Sequence, residues 1–258
     1  MSKAQRRAEL WAACLAAPFD PVPGLILHDW LQGQGDPFGE LVAGVQELRR
    51  HGKVSPGRDE PYRLVSQVRD RYFPPGDGIR FSPASVGRLW IDSYEIHDMD
   101  IEPDQLYTMP LALMAAHIVV RTPAGEQARA SAPLVRELLL GAYRFPRLQS
   151  IAHMPYAHGT YARSPASYLT RYVWLDRERR SADLNESIRA MHDSMALDEL
   201  AGPITMPVRR FDIWRDSPAA VIEDATRADS RVVVVHGHPS ELGDLVPVRG
   251  EKIRRRQG

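Results

Sequence analysis

The sequence predicts an α+β fold with N-terminal helices, a central mixed sheet and a C-terminal helix-strand segment. Three observations predict it. Capped stretches with a helical apolar period occupy the first 75 or so residues. Alternating and β-branched segments take over from Ile79 to Trp174. Helical patterns then return ahead of one last β-branched run, "RVVVVHGHP".

The first helix is expected in "SKAQRRAELWAACLAA", where Leu10, Trp11, Cys14 and Leu15 form one apolar stripe. The second begins at Asp36, an N-cap type, with Pro37 at the first helical position, and ends in arginines before Gly52. "DEPYRLVSQVRDRYF" repeats that grammar until "PPGDG" stops it, so three helices are expected by Phe73. "SPASVGRLW" can open a short helix from Ser82, and "SYEIHDMDI" alternates as a strand does. "AHIVVRT", "PAGE" and "QARASA" read as strand, turn, strand, with Pro123 and Gly125 supplying the turn. "SAPLVRELLLGAYRF" reads as a helix opened by Ser131 and Pro133, and "RLQSIAHM" and "SYLTRYVWL" as strands.

Further on, helices are expected from Ser181 or Asp183 in "SADLNESIRAMHDSMAL" and from Ser217 in "SPAAVIEDATRA", before the strand "RVVVVHGHP" and a basic tail. These changes suggest regions 1–75, 76–200 and 201–258. The Pro-rich "AGPITMPV" marks the last boundary, and no linker rules out a single domain.

Composition narrows the function classes. Hydrophobic residues make up 43% and charged residues 26%, as in a folded soluble domain. A formal net charge of +0 gives no global field towards polyanions, so a nucleic-acid surface has to be a local basic patch. The single cysteine, Cys14, excludes an internal disulfide or a multi-cysteine zinc site, and its place on an apolar stripe reads as core. No long apolar run appears, so a cytoplasmic, non-membrane protein is expected. Only Lys3, Lys53 and Lys252 are lysines; the other cations are arginines, which suit phosphate but also follow from GC-rich codon usage.

The acidic stretch "YEIHDMDIEPD" carries the chemistry. If it is extended, Asp98, Asp100 and Glu102 share one face and Glu95 and His97 the other. A row of carboxylates repels itself unless water screens it or a cation bridges it. Mg²⁺ or Mn²⁺ prefers such oxygen ligands and activates phosphates. The opposing reading is a solvated strand end running into a turn.

The order of three segments is similar to that in the bifunctional primase-polymerases of phages and plasmids. "IHDMDI" resembles their hydrophobic-D-hydrophobic-D strand. "VVRTPAGEQARA" resembles their T-P-S-G-G-x-H turn, and "HGTYARSPAS" with "YVWLD" their later segment. The resemblance covers Ile96 to Asp176. It implies that Asp98 and Asp100 are the metal-binding pair, that Thr122, Pro123 and Gly125 form the phosphate-side turn, and that Asp176 stands in for a later acid. The histidine of the turn is missing here, which implies a degenerate or non-polymerising member.

Two further clusters remain. His153 and His158, with Tyr156, Tyr161, Arg144, Arg147 and Arg163, could form a phosphate-gripping and base-stacking surface, or a loop of half-buried tyrosines. His236 and His238, with Glu241 or Asp244, could bind a transition metal, or simply end a strand. The tail residues Arg254, Arg255 and Arg256 could grip a phosphate backbone or solvate a chain end.

These readings support a nucleic-acid-associated protein of a bacterial mobile element. Catalytic Mg²⁺- or Mn²⁺-dependent nucleotidyl or phosphoryl transfer would use Asp98, Asp100 and Asp176, with Asp98, Asp100 and Glu102 on the metal. The alternatives are a non-catalytic nucleic-acid or protein-binding module and a His/Asp transition-metal enzyme.

Overall fold

A computed structural model describes residues 1–51, 60–73, 78–97, 101–123, 133–156, 169–174, 208–212 and 232–237, giving backbone and register alone in the later strands. Four helices come first: α1 (Lys3–Ala16), α2 (Pro21–Gly33), α3 (Pro37–His51) and α4 (Glu60–Tyr72). α1 opens with a reciprocal cap, in which Gln5 N donates to Ser2 Oγ at 3.2 Å and Ser2 N to Gln5 Oε1 at 2.8 Å. Asp20 caps α2, accepting from Val22 N at 2.9 Å ahead of Pro21. Gly35, at φ 63°, makes the turn into α3. α3 then lies so close to α2 that a Cβ on Gly39 would meet Gln32 N at 2.7 Å.

Asp36 is the N-cap expected for α3, with Phe38 N donating to its Oδ1 at 3.0 Å. It is also a buried hub. Arg71 Nε lies 2.9 Å and an Arg7 nitrogen 3.6 Å from its Oδ2, and the Tyr72 hydroxyl donates to Oδ1 at 2.8 Å. A carboxylate with this many donors is compensated for its burial, and one residue thereby joins α1, α3 and α4. Around it, Trp11 stacks 6.3 Å from Phe38, and His28 meets Phe38 edge-on at 4.8 Å.

After a single 3₁₀ turn at Pro83–Ser85 come β1 (Ser93–His97), α5 (Pro103–Thr108), α6 (Pro110–Leu113), β2 (His117–Pro123), α7 (Pro133–Leu140), a 3₁₀ turn at Gly141–Arg144, and β3 (Ser150–Tyr156). β4 (Leu169–Trp174), β5 (Val208–Asp212) and β6 (Val232–Gly237) complete the described strands. All six form one sheet in the order β1-β2-β3-β4-β6-β5. β1, β2 and β3 are parallel, β4 is antiparallel to β3 and to β6, and β5 is parallel to β6. Five strands therefore point the same way and β4 alone runs against them, which makes the sheet mixed.

Tyr94, Ile96, Ile118, Val120 and Ile151 bury one face of β1 to β3. Apolar residues of the first four helices and of the crossover helices join them in one core, so the packing is continuous across position 75. Trp90 carries that continuity, its ring 5.8 Å from Trp11 and 6.4 Å from Phe38. β4 and β6 pair across position 200 as well.

The structure adds elements the sequence pattern did not suggest: α2, the short α5 and α6, and β5. The described part of β1 runs to His97, the expected strand positions 98–100 lie outside the described residues, and Ile101 is not in a strand. Glu102, expected on the strand, is the exposed N-cap of α5, its N–H donating to Gln105 Oε1 at 3.2 Å. The strand expected over 127–132 and the helices expected over 181–197 and 217–228 lie outside the described residues.

Candidate functional site

Strand direction sorts the candidate residues onto two edges. The carboxyl edge receives the ends of β1, β2, β3, β5 and β6 and the start of β4. At this edge lie His97, Arg121, Tyr156, Asp212 and His236. In open sheets built from parallel strands, ligands bind outside the carboxyl ends. Asp98 and Asp100 follow directly on His97 in sequence, and Arg163 precedes β4 by a few residues. All three lie outside the described residues, as do Asp176, His158, Tyr161, His238, Glu241, Asp244, Arg254, Arg255 and Arg256.

At this edge β1 and β2 present an ionic cluster on the face opposite the core. Arg121 Nε is 2.5 Å from Glu95 Oε1, and His97 Nε2 is 3.7 Å from the same oxygen. Register explains the grouping: His97 pairs with Arg121, and Glu95 is one pleat below His97 on the same face. Glu95 is also held by its backbone, which exchanges hydrogen bonds of 2.7 and 2.8 Å with Arg80. A carboxylate shared by a guanidinium and an imidazole can orient the imidazole and leave the guanidinium facing an anion.

The amino edge holds other candidates. Arg147 donates to the Met114 carbonyl at 3.0 Å and to Asp92 Oδ1 at 2.9 Å. The Asp92 carbonyl accepts from Ala116 N and His117 N at 2.9 and 2.8 Å, and His117 Nδ1 is 3.0 Å from Ser150 Oγ. Arg147 is therefore a tie between the loops entering β1, β2 and β3. Arg144 is exposed, with its guanidinium carbon 4.4 Å from the Tyr107 ring centre and 5.7 Å from that of Tyr143.

Asp92 and His97 are five residues apart along an extended chain, about 16 Å at about 3.3 Å per residue. The sheet thus gathers His97, Tyr156 and His236 at one edge and puts Arg144 and Arg147 at the other. Trp174, two residues before Asp176, also ends β4 at the amino edge. His153, near the middle of β3, is buried on the core face, in register with Val120.

The Glu95, His97 and Arg121 cluster was only partly legible in the sequence. Alternation put Glu95 and His97 on one face, but Arg121 joins them only through strand pairing. Among the described residues, no group of three or more His, Cys, Asp or Glu is gathered to hold a metal ion. Among them, too, no helix is long and apolar enough to cross a membrane. Compared with family models, curated proteins and solved structures, the chain matches none.

Proposed function

We propose that this chain binds a phosphorylated ligand, a nucleotide or nucleic-acid strand, at the carboxyl edge of its sheet, with Mg²⁺ or Mn²⁺ held by Asp98 and Asp100. The observation that carries the reading is strand direction: five strands end at one edge, and β1, the strand leading into the acids, is among them. The dication would screen the paired carboxylates and neutralise a phosphate oxygen. Arg121, paired with Glu95 on the strand edge that leads to the acids, would supply a guanidinium for the remaining phosphate charge. Similarity of segment order to primase-polymerases supports nucleotidyl or phosphoryl transfer as the reaction class.

Thermal melting of the full chain with Mg²⁺, Mn²⁺ and a short single-stranded DNA tests the reading. The melting temperature is expected to rise with metal and further with DNA, and the metal response to vanish in Asp98→Asn/Asp100→Asn. Equal metal responses in the wild type and the double variant would overturn it.

A second reading is favoured by one other observation. Arg144 is layered on Tyr107 beside the exposed Tyr143, a stacking surface at the edge away from the acids. A non-catalytic strand-binding module would use that surface. It predicts DNA binding that survives the double acid variant and is lost in Tyr143→Ala/Arg144→Ala.

A further inference from the structure

A chain with no net charge needs a local basic patch to hold a polyanion, and α1 and α4 build one where they meet. Arg7 of α1 and Arg71 of α4 converge on one oxygen, Asp36 Oδ2, at 3.6 and 2.9 Å. The carboxylate keeps 2% of its side-chain exposure, whereas Arg7 keeps 31% and Arg71 52%. One buried negative charge thus holds two guanidiniums at the surface. Lys3, exposed and one helical turn before Arg7, adds a third cation. The acids of α1 and α4 do not offset these charges, because each has an arginine of its own: Glu9 with Arg6, Glu60 with Arg63 and Asp70 with Arg69. Lys3, Arg7 and Arg71 therefore stand against Asp36 alone.

Stability does not explain this arrangement. Lys3 and Arg6 stand in the first turn of α1, the positive end of its dipole, where acids are favoured and none is present. Two guanidiniums on a single oxygen also repel each other. An anion laid across them relieves both costs. Guanidiniums already held in place lose little freedom on gripping a phosphate, and their planar forks match its oxygens. Lys3 and Arg7 are about 6 Å apart along the axis, at about 1.5 Å per residue, and Arg71 extends the group onto the neighbouring helix. Such a row suits the successive phosphates of a strand. An anionic lipid surface suits it less, because an interfacial helix inserts apolar side chains, and those of α1, Leu10, Trp11 and Cys14, are in the core.

We infer that Lys3, Arg7 and Arg71 form a second contact for a nucleic-acid strand and grip its phosphates without a metal ion. Asp36 positions both arginines, and the Tyr72 ring, with its centre 4.9 Å from the Arg7 guanidinium carbon, supports one of them. The inference rests on the nucleic-acid part of the reading above and is independent of Asp98 and Asp100.

Fluorescence anisotropy of the full chain with a labelled short single-stranded DNA, in EDTA and over a range of NaCl concentrations, tests it. Each phosphate contact adds about 0.7 to the steepness of log affinity against log salt. Lys3→Gln/Arg71→Gln keeps Arg7 on Asp36 and should reduce that steepness by about 1.4. The control Arg50→Gln/Arg63→Gln removes the same charge, with Arg50 about 21 Å along α3 from Asp36, and should leave the steepness unchanged. Asp98→Asn/Asp100→Asn should also leave it unchanged in EDTA. Equal salt dependence in the patch variant and the control overturns the inference, and the sheet-edge reading then stands or falls on its own metal response. A wild type that binds no DNA in EDTA overturns the inference too, and binding restored by Mg²⁺ would leave the sheet-edge reading intact. Binding to vesicles of anionic phospholipid and not to DNA likewise overturns it. Should the patch variant fail to fold, Lys3→Gln at its exposed position decides: a steepness lower by about 0.7 supports the contact, and an unchanged one excludes it.

Discussion

Lowering the pH should unfold this protein partly through one imidazole, His28. The ring is buried among Phe38 and Trp90, with centroids 4.8 and 5.6 Å away, and its Nε2–H donates to the Leu89 carbonyl at 2.5 Å. Its other nitrogen, Nδ1, is buried and has no hydrogen-bond partner among the described residues. A proton there would place a charge in an apolar box, and burial pushes the His28 pKa down from 6.5 to about 4 against the opposing pull of the Leu89 carbonyl, Asp29 and Asp36. The folded state therefore binds this proton less readily than the unfolded state. The neutral ring's contribution is complete above the unfolded value, near pH 6.5, and is lost as the pH falls towards 4. Across that shift of about 2.5 units, at about 1.4 kcal/mol per unit, the full effect is about 3 kcal/mol, of which about 2.5 kcal/mol has developed by about pH 4.5. Urea unfolding of the wild type and His28→Gln at about pH 7.5 and 4.5 isolates it, because glutamine keeps a donor for Leu89 and does not titrate. The wild type should lose about 2.5 kcal/mol more than the variant. Parallel losses in the two proteins would refute the assignment.

Three other outcomes follow from the packing. Asp36→Ala removes a cap and leaves Arg7, Arg71 and Tyr72 without their shared acceptor. Because both arginines are partly exposed, the loss should sit near the lower end of the range for a buried pair, about 3 kcal/mol in urea unfolding; a loss under about 1 kcal/mol would show that water replaces the carboxylate. Gly39→Ala should cost about 1 to 3 kcal/mol through overpacking of α3 against the Gln32 backbone, while Gly44→Ala, where no described residue lies within 4 Å of the new methyl, should be neutral or stabilising. The Cys14 thiol, buried and pushed up to about 11, should resist a thiol reagent in native buffer and react fully in denaturant.

The elements that could be read from the chain are those whose signal is local. α1 carries its stripe and cap within 14 residues, and the β-branched and alternating runs of β1, β2, β3, β4 and β6 were visible as strands. α2 contains Pro21, Pro23 and Gly24, residue types that ordinarily disfavour a helix. In the structure Pro21 sits where a helix starts, and Gly24 is small because Leu89 and Trp90 crowd it: a Cβ there would meet them at 3.0 and 3.1 Å. β5, "VRRFD", carries two arginines in five residues, and it is pairing with β6 that makes it a strand. Glu102 continued the acidic alternation, yet Pro103 turns that point into a helix start.

The candidate site divides the same way. Residue chemistry showed where acids, histidines and arginines are, but the edge each one occupies depends on strand direction. Arg147 looked like a phosphate ligand, and its partners are a carbonyl and Asp92. His153 and His236 are 83 positions apart in sequence, counted as 236 minus 153, and the β3-β4-β6 register puts them in one row.

The most direct test of the central claim is Mn²⁺ binding to the full chain, followed by electron paramagnetic resonance of the free ion, in the wild type and in Asp98→Asn/Asp100→Asn. The account predicts a saturable site in the wild type, competed by Mg²⁺, that disappears in the double variant. Equal Mn²⁺ uptake by both proteins, or none by either, would contradict it.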